Sequence, residues 1–302
     1  MSRIDPRDVV HPEDRAAIDN LQSMALFPAA AKAFMKAVPE DMLAGLYMVQ
    51  KIRLGPNQLP RLHALLPPIC GRLGIVEPEF YLEMDPRPNA YTYGDTRTFI
   101  TVTSGLLQSM DEDELRTVVA HECGHVFARH VLYRTMVDLL LEGGARFLGI
   151  PGILTAPIQA SLFYWYRRSE LTADRVAALV CGGAKEVVEM LIRLSGGPLD
   201  ITKEVNTEAF LAQADAFRGH TTGKWSDFLQ NVAIMSAQHP WSALRAAEVT
   251  RWCETTEFAR LRKALEAADA RTCPCCGNDF ESDWKYCRRC GKQIGANTGG
   301  RK

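Results

Sequence analysis

The sequence predicts an α+β chain: a mostly helical body with a small β-sheet, followed by a small cysteine-rich module. Three observations predict it. Apolar residues recur at helical spacing over most of the 302 residues. Strand-type residues concentrate between positions 79 and 102, split by Pro, Asn and Gly. Five of the nine cysteines fall between Cys273 and Cys290. Hydrophobic residues make up 47% and charged residues 24%, which suits a globular chain with one large core or two domains. Thirty-five Lys and Arg against 36 Asp and Glu leave a net charge of -1, so nothing global argues for a nucleic-acid partner. Residues 1–20 are polar and lack an apolar stretch, so no secretory signal is expected. The scattered Cys70, Cys123, Cys181 and Cys253 sit in mostly apolar surroundings, which suits a reducing compartment better than a disulfide framework.

Taken in order, residues 13–36 read as helix with a break at Pro28, and residues 40–53 as a second helix after Pro39. Residues 59–73 are helical around Pro67 and Pro68. Cys70 reads as a buried structural thiol. Residues 79–83 read as a strand. Residues 90–93 and 98–102 read as a hairpin turning at Gly94 and Asp95. A free edge of such a sheet pairs readily with an extended peptide; the alternative is scaffold only.

A long helix is predicted over residues 115–134, capped by Ser109 or Asp111, with acidic residues suited to its first turn. It carries His121-Glu122-Cys123-Gly124-His125. Positions i and i+4 share a helix face, so His121 and His125 can present two imidazoles to one metal ion, with Glu122 one step round. This is the H-E-x-x-H arrangement of zinc hydrolases. Gly124 costs about 1 kcal/mol in a helix interior, which predicts close approach of another backbone. Cys123 reads as core, and His130, off the His121 and His125 face, as surface. A catalytic zinc needs three protein ligands. Glu170, on a later helix, is the candidate third ligand. Asp174, one turn on, can accept a hydrogen bond from the far nitrogen of a ligating His. The alternative for this pair is a charged helix surface.

The chain resembles the HtpX-type zinc metallopeptidases, the gluzincin group that includes the CAAX prenyl-protein proteases. The resemblance rests on Pro88-Asn89-Ala90-Tyr91 with Gly94, on residues 111–115 leading to His125, on Ser169-Glu170 with Ala173-Asp174, and on His239-Pro240 followed by Arg245. It covers roughly residues 51–251. It implies a zincin-like domain with zinc on His121, His125 and Glu170, Glu122 as general base, and a substrate edge at Asn89, Ala90 and Tyr91. Cys123 and Tyr91 stand where an aliphatic residue and Phe are usual. In that family the His-Pro segment packs near the active site. His239 is then a candidate catalytic residue, for a developing oxyanion or for the open zinc position, against a plain turn histidine. Arg245 is a candidate partner for an active-site carboxylate.

Residues 147–166 carry no charge, but Pro151, Gly152 and Pro157 interrupt them. The remaining apolar helix, 156–166, is too short to span a bilayer, which favours a buried or interface-lying helix. Residues 196–203 read as loop, 206–217 as helix, and 242–252 as the helix after His239-Pro240. Cys273 with Cys276 and Cys287 with Cys290 form two C-x-x-C knuckles, the ligand set of a structural zinc. Cys275 is the alternative to Cys276. Residues 271–302 hold seven Lys or Arg and three Asp or Glu, net +4. Protein contact is the favoured role for the ribbon over nucleic acid.

The boundaries expected are an N-terminal helical segment (1–50), a metallopeptidase domain (51–262), a linker (263–272), a zinc ribbon (273–294) and a disordered tail (295–302). The function expected is zinc-dependent endopeptidase, acting on protein or peptide with one catalytic and one structural zinc. The expected place is the cytoplasm, with peripheral contact to the inner face of a membrane as an option. The alternative is a non-catalytic zinc-binding protein whose ribbon recruits protein or nucleic acid; an intact Glu122 argues against it.

Overall fold

The computed structural model describes residues 4–37, 39–141, 156–220 and 241–269, and in the C-terminal module residues 273, 275–276, 278, 280 and 284–294. Four helices lead: α1 (Pro6–Val9), α2 (Pro12–Ser23), α3 (Phe27–Ala37) and α4 (Glu40–Gln50). The break expected at Pro28 falls earlier, between Ser23 and Phe27. Pro28 instead occupies the first turn of α3, where a missing N–H leaves no helical bond unmade. α4 also ends before the expected Arg53. Ile52–Arg53 forms a short strand, β1, because Leu82 and Tyr81 offer it backbone partners.

After α5 (Pro60–His63) and α6 (Leu66–Leu73) come β2 (Glu79–Glu83), β3 (Ala90–Gly94) and β4 (Thr98–Thr103). The sheet order is β1-β2-β4-β3. β2 runs parallel to β4, and the expected hairpin pairs β3 with β4 antiparallel, Ala90 opposite Val102. The hairpin turn requires Gly94: its φ is +117°, and a Cβ there would lie 1.9 Å from the Arg97 carbonyl oxygen. Alternation sends side chains to both faces of the sheet. Phe80, Ile100 and Val102 join the core under the following helices, while Tyr81, Tyr93 and Phe99 join Phe27, Phe34 and Tyr47 of the leading helices. Leu21, Phe27, Phe34 and Tyr47 of the leading helices thus share a core with one face of the sheet.

α7 (Ser104–Ser109) leads to α8 (Glu112–Phe127), which opens on a full capping box between Asp111 and Glu114. The single helix expected through Arg134 is two. Arg129 takes φ +60°, and α9 (Val131–Leu141) starts afresh. The turn brings Met136 and Val137 into the core shared with the leading helices, and that burial outweighs the strain of one left-handed residue. α10 (Ala156–Cys181) packs along α8 and α2. α11 (Ala184–Gly196) follows. Leu199–Thr202, expected as loop, forms a single turn, α12, with Thr202 buried and bonded to Arg193. α13 (Thr207–His220), α14 (Ser242–Cys253) and α15 (Thr256–Asp269) complete the body. α15 runs through most of the stretch expected as a linker, held by buried Leu261 and Leu265. Among the described residues no helix is long and apolar enough to cross a membrane; residues 147–155 of the uncharged stretch lie outside them.

Candidate metal centre and active site

α8 is helical through His121 and His125 because its cap and its buried Val118, Val119 and Cys123 leave no competing conformation. The ring centroids of His121 and His125 are 4.9 Å apart, and both side chains are buried. Gly124 explains how α10 reaches them. A Cβ on Gly124 would lie 3.0 Å from Ala173 Cα and 3.2 Å from its carbonyl oxygen. The bare glycine lets the two backbones touch, and Glu170 then sits across from both histidines. Its Oε2 is 3.4 Å from His121 Nε2, and its Oε1 is 3.4 Å from His125 Nε2. Gly124→Val is therefore expected to weaken metal binding at this site at least tenfold, by wedging α10 away. Metal-buffer titration against wild type checks it, and an unchanged affinity would separate the glycine from the site.

Each of the other groups is braced. Asp174 Oδ1 lies 3.0 Å from His121 Nδ1. Arg245 of α14 meets Asp174 side-on, both N···O distances being 2.7 Å, and reaches Glu170 Oε2 at 2.9 Å. Arg134 of α9 donates to Glu170 Oε1 at 2.5 Å and to the Tyr166 hydroxyl at 3.2 Å. Thr92, pointing from β3 toward α8, donates to Glu122 Oε2 at 2.5 Å. Burial works against the charged form of Glu170, yet Arg245 and Arg134 hold its pKa well below the ordinary range. Asp174 is lowered in the same way, burial opposing and Arg245 prevailing. Burial pushes His125 well below its usual value, with Arg134 adding to the effect. For His121 burial also opposes charge, but Asp174 and Glu170 raise its pKa to about 9 in the metal-free protein.

These residues fit a zinc ion. Two imidazoles and an ionised carboxylate are a donor set typical of catalytic zinc. Tetrahedral bonds of about 2.0–2.1 Å place ligand atoms about 3.3 Å apart, close to both Glu170–His separations. His125 Nε2 is buried with no hydrogen bond of good geometry, and ligand atoms of His121, Glu122 and His125 lie within 4.8 Å of one another. The site opens into a cleft of about 440 Å³ lined by β3, α8, α9, α10 and Arg245. Along one wall, Asn89 C=O accepts from Thr103 N–H, so alternation turns the main-chain groups of Ala90, Thr92 and Gly94 away from β4. Gly94 is already engaged: its N–H donates to Thr135 Oγ1, 3.0 Å away. Of the expected edge residues, Ala90 alone presents its main chain outward, and Thr92 joins it. Tyr91 instead tucks its hydroxyl between Glu83 and Lys51.

The four knuckle cysteines converge. Cys273 Sγ is 3.6 Å from Cys290 Sγ, and Cys276 Sγ is 3.5 Å from Cys287 Sγ. Disulfide sulfurs would be about 2.05 Å apart; thiolates about 2.3 Å from one tetrahedral zinc would be about 3.8 Å apart. Burial opposes the Cys287 thiolate, but backbone N–H groups of Cys290 and Arg289 help bring its pKa down to about 6. Cys275 is exposed and stands outside the cluster.

His239 lies outside the described residues. His130, expected on the surface, is buried: the turn after α8 swings it back, with Nδ1 3.1 Å from His125 Nδ1. Sequence reading passed over Thr92, Arg134 and Asp14. Thr92 had a signal in the alternation of β3, which puts it on the same face as Ala90. Arg134 and Asp14 had none, because their roles depend on how distant helices meet.

A metal-binding H-E-x-x-H helix, a carboxylate helix beside it and an edge strand along the cleft define a metalloprotease. Comparison with known proteins agrees. The profile of peptidase family M48 matches residues 56–253, about two-thirds of the chain. The chain is 30% identical over 262 residues to the plastoglobule-localized metallopeptidase 48, chloroplastic, of Arabidopsis thaliana, covering 86% of this chain and 76% of that one. It is 24% identical over 228 residues to a protease HtpX homolog of Gemmatimonas aurantiaca, covering 66% and 81%. A 91-residue stretch is 40% identical to a protease HtpX homolog of Sulfurihydrogenibium, covering 30% of each chain. No solved structure matches. The chain belongs to peptidase family M48, the HtpX-type metallopeptidases, whose substrates are proteins or peptides.

Proposed function

We propose that this protein is a zinc endopeptidase with Glu122 as its general base. The observation that supports it most is the meeting of His121, His125 and Glu170, each carboxylate oxygen 3.4 Å from one imidazole nitrogen. When bound there, zinc makes water acidic enough to attack at neutral pH and polarises the scissile carbonyl. Glu122 takes the proton from the attacking water on its carboxylate and delivers it to the leaving amine nitrogen. Thr92 fixes that carboxylate through Oε2. Asp174 Oδ1, 3.0 Å from His121 Nδ1, favours the proton on that side of the ring and leaves Nε2 for the metal.

The substrate lies extended along β3, bonded to the outward main-chain groups of Ala90 and Thr92. Thr135 occupies those of Gly94 and ends the ladder. His239 keeps its proposed place near the open metal position through the family resemblance alone. Arg245 is a positioning residue, since it touches Asp174 and Glu170. The setting proposed is the cytoplasm, with peripheral membrane contact, and the ribbon is proposed as a protein contact.

Metal analysis of the full chain tests this reading. Two zinc ions per chain and zinc-restored peptide cleavage are expected. A chain that cleaves peptides after complete metal removal sinks it. Replacing Cys287 and Cys290 together by Ser is expected to release one zinc and unfold the ribbon, which is too short to hold a core unaided. The other zinc and the melting of the body should stay as in wild type. Loss of both ions together would contradict separate sites.

A further inference from the structure

The H-E-x-x-H pair is braced unequally in the obvious places. His121 has Asp174, but among the described residues no carboxylate on the neighbouring helices takes the far nitrogen of His125. The atom that lies there is His130 Nδ1, 3.1 Å from His125 Nδ1. The other side of that ring continues the chain, since His130 Nε2 lies 3.1 Å from Asp14 Oδ2. Asp14 belongs to α2, well outside the residues matched to the peptidase family. It is 1% exposed, and three donors converge on it. Trp165 Nε1–H donates to Oδ1 at 2.8 Å, and Thr172 Oγ1–H donates to Oδ2 at 2.5 Å beside His130. Thr172 Oγ1 in turn accepts the backbone N–H of His11 at 3.0 Å.

We propose that Asp14 and His130 form a positioning relay that sets the tautomer and ring orientation of His125, so that the N-terminal helix completes the catalytic metal site. In the relay His130 is neutral and carries its one proton on Nε2, toward Asp14. His130 Nδ1 is then an acceptor, and His125 donates to it from Nδ1. That leaves His125 Nε2, the nitrogen facing Glu170, unprotonated and aimed at the metal. The arrangement is buried from end to end, where an unmatched donor would be costly. Its cause in the sequence is the turn at Arg129. A helix continuing past residue 128 would carry His130 away from His125.

This inference rests on the zinc reading above, and its test keeps the two apart. Zinc affinity of the catalytic site is measured in a metal buffer for the full chain, with thermal melting of each zinc-free form in parallel. ¹H–¹⁵N imidazole spectra of the zinc-loaded forms follow His125 Nδ1–H. His130→Asn places an amide oxygen near the position of Nδ1 and keeps an acceptor for His125. It is expected to bind zinc within a few-fold of wild type and to retain a slowly exchanging His125 Nδ1–H. His130→Leu removes the acceptor, and Asp14→Asn puts an amide N–H among the donors. About 10–100-fold weaker zinc binding is expected for His130→Leu, with a smaller loss for Asp14→Asn. The slowly exchanging proton should disappear in His130→Leu. Equal zinc affinities in wild type and His130→Leu overturn the relay, as does a fall in zinc-free melting alone. If wild type itself takes up only the ribbon zinc, the zinc reading falls and the relay with it.

Discussion

Glu122→Gln is expected to fold, keep its metal and lose about 10²–10⁴-fold in peptide turnover. That is the range attributed to general acid–base catalysis. The amide still accepts from Thr92 through its oxygen, so the contact at 2.5 Å that places the side chain survives. His121, His125 and Glu170 are untouched. What disappears is a group able to take a proton from water and return it to the leaving nitrogen. Single-turnover cleavage of a peptide, with zinc content measured on the same sample, reads both halves. Wild-type turnover in a zinc-loaded variant would remove Glu122 from the mechanism. Loss of zinc together with turnover would place its role in binding instead.

Arg245→Met is expected to be the most destabilising substitution near the site, by about 3–5 kcal/mol, the usual range when one partner of a buried ion pair is removed. Met keeps much of the aliphatic volume, so packing changes little. Asp174 and Glu170 are left buried with less opposing charge, Asp174 being 1% exposed. The loss should be larger without zinc, because a bound cation also answers the charge of Glu170. Its pH dependence has a definite sign. Asp174 and Glu170 have folded-state pKa values below the ordinary range, held there against burial by Arg245 among others. The stability they contribute is present above the unfolded carboxylate pKa of about 4 and is lost as pH falls through the lower folded values. The gap between wild type and Arg245→Met should therefore be full at pH 7 and narrow below about pH 4. Denaturant midpoints across that range measure it. A gap independent of pH would mean that Arg245 acts by packing.

Much of the site was legible because local periodicity sets it. The i, i+4 spacing of His121 and His125 needs only that the segment be helical, and Asp111, Glu114 and the buried valines ensure that. Glu170 and Asp174 repeat the same spacing on α10. Gly124 announced a close neighbour by its helix cost alone, and Ala173 is that neighbour. The paired C-x-x-C knuckles pointed to Cys273, Cys276, Cys287 and Cys290, and those four sulfurs lie within 4.8 Å of one another. The hairpin was equally local, through Gly94 and the Thr, Tyr, Ile and Val around it.

What the sequence did not carry was every feature that depends on two distant segments meeting. The turn at Arg129 has no glycine to mark it; burial of Met136 and Val137 against the leading helices imposes it. His130 read as surface because a continuous helix would have put it there, and the turn reverses that. Asp14 carried no mark in the sequence, yet it accepts bonds from Trp165 and Thr172, more than 150 positions away. Arg134, Thr92 and the exact edge of β3 are of the same kind. The candidate metal ligands were legible in the sequence, because helical spacing is a property of neighbouring residues. Only the tertiary structure decided which groups hold those ligands in place, because a buried polar atom takes as partner whatever the packing of distant helices brings within hydrogen-bond reach.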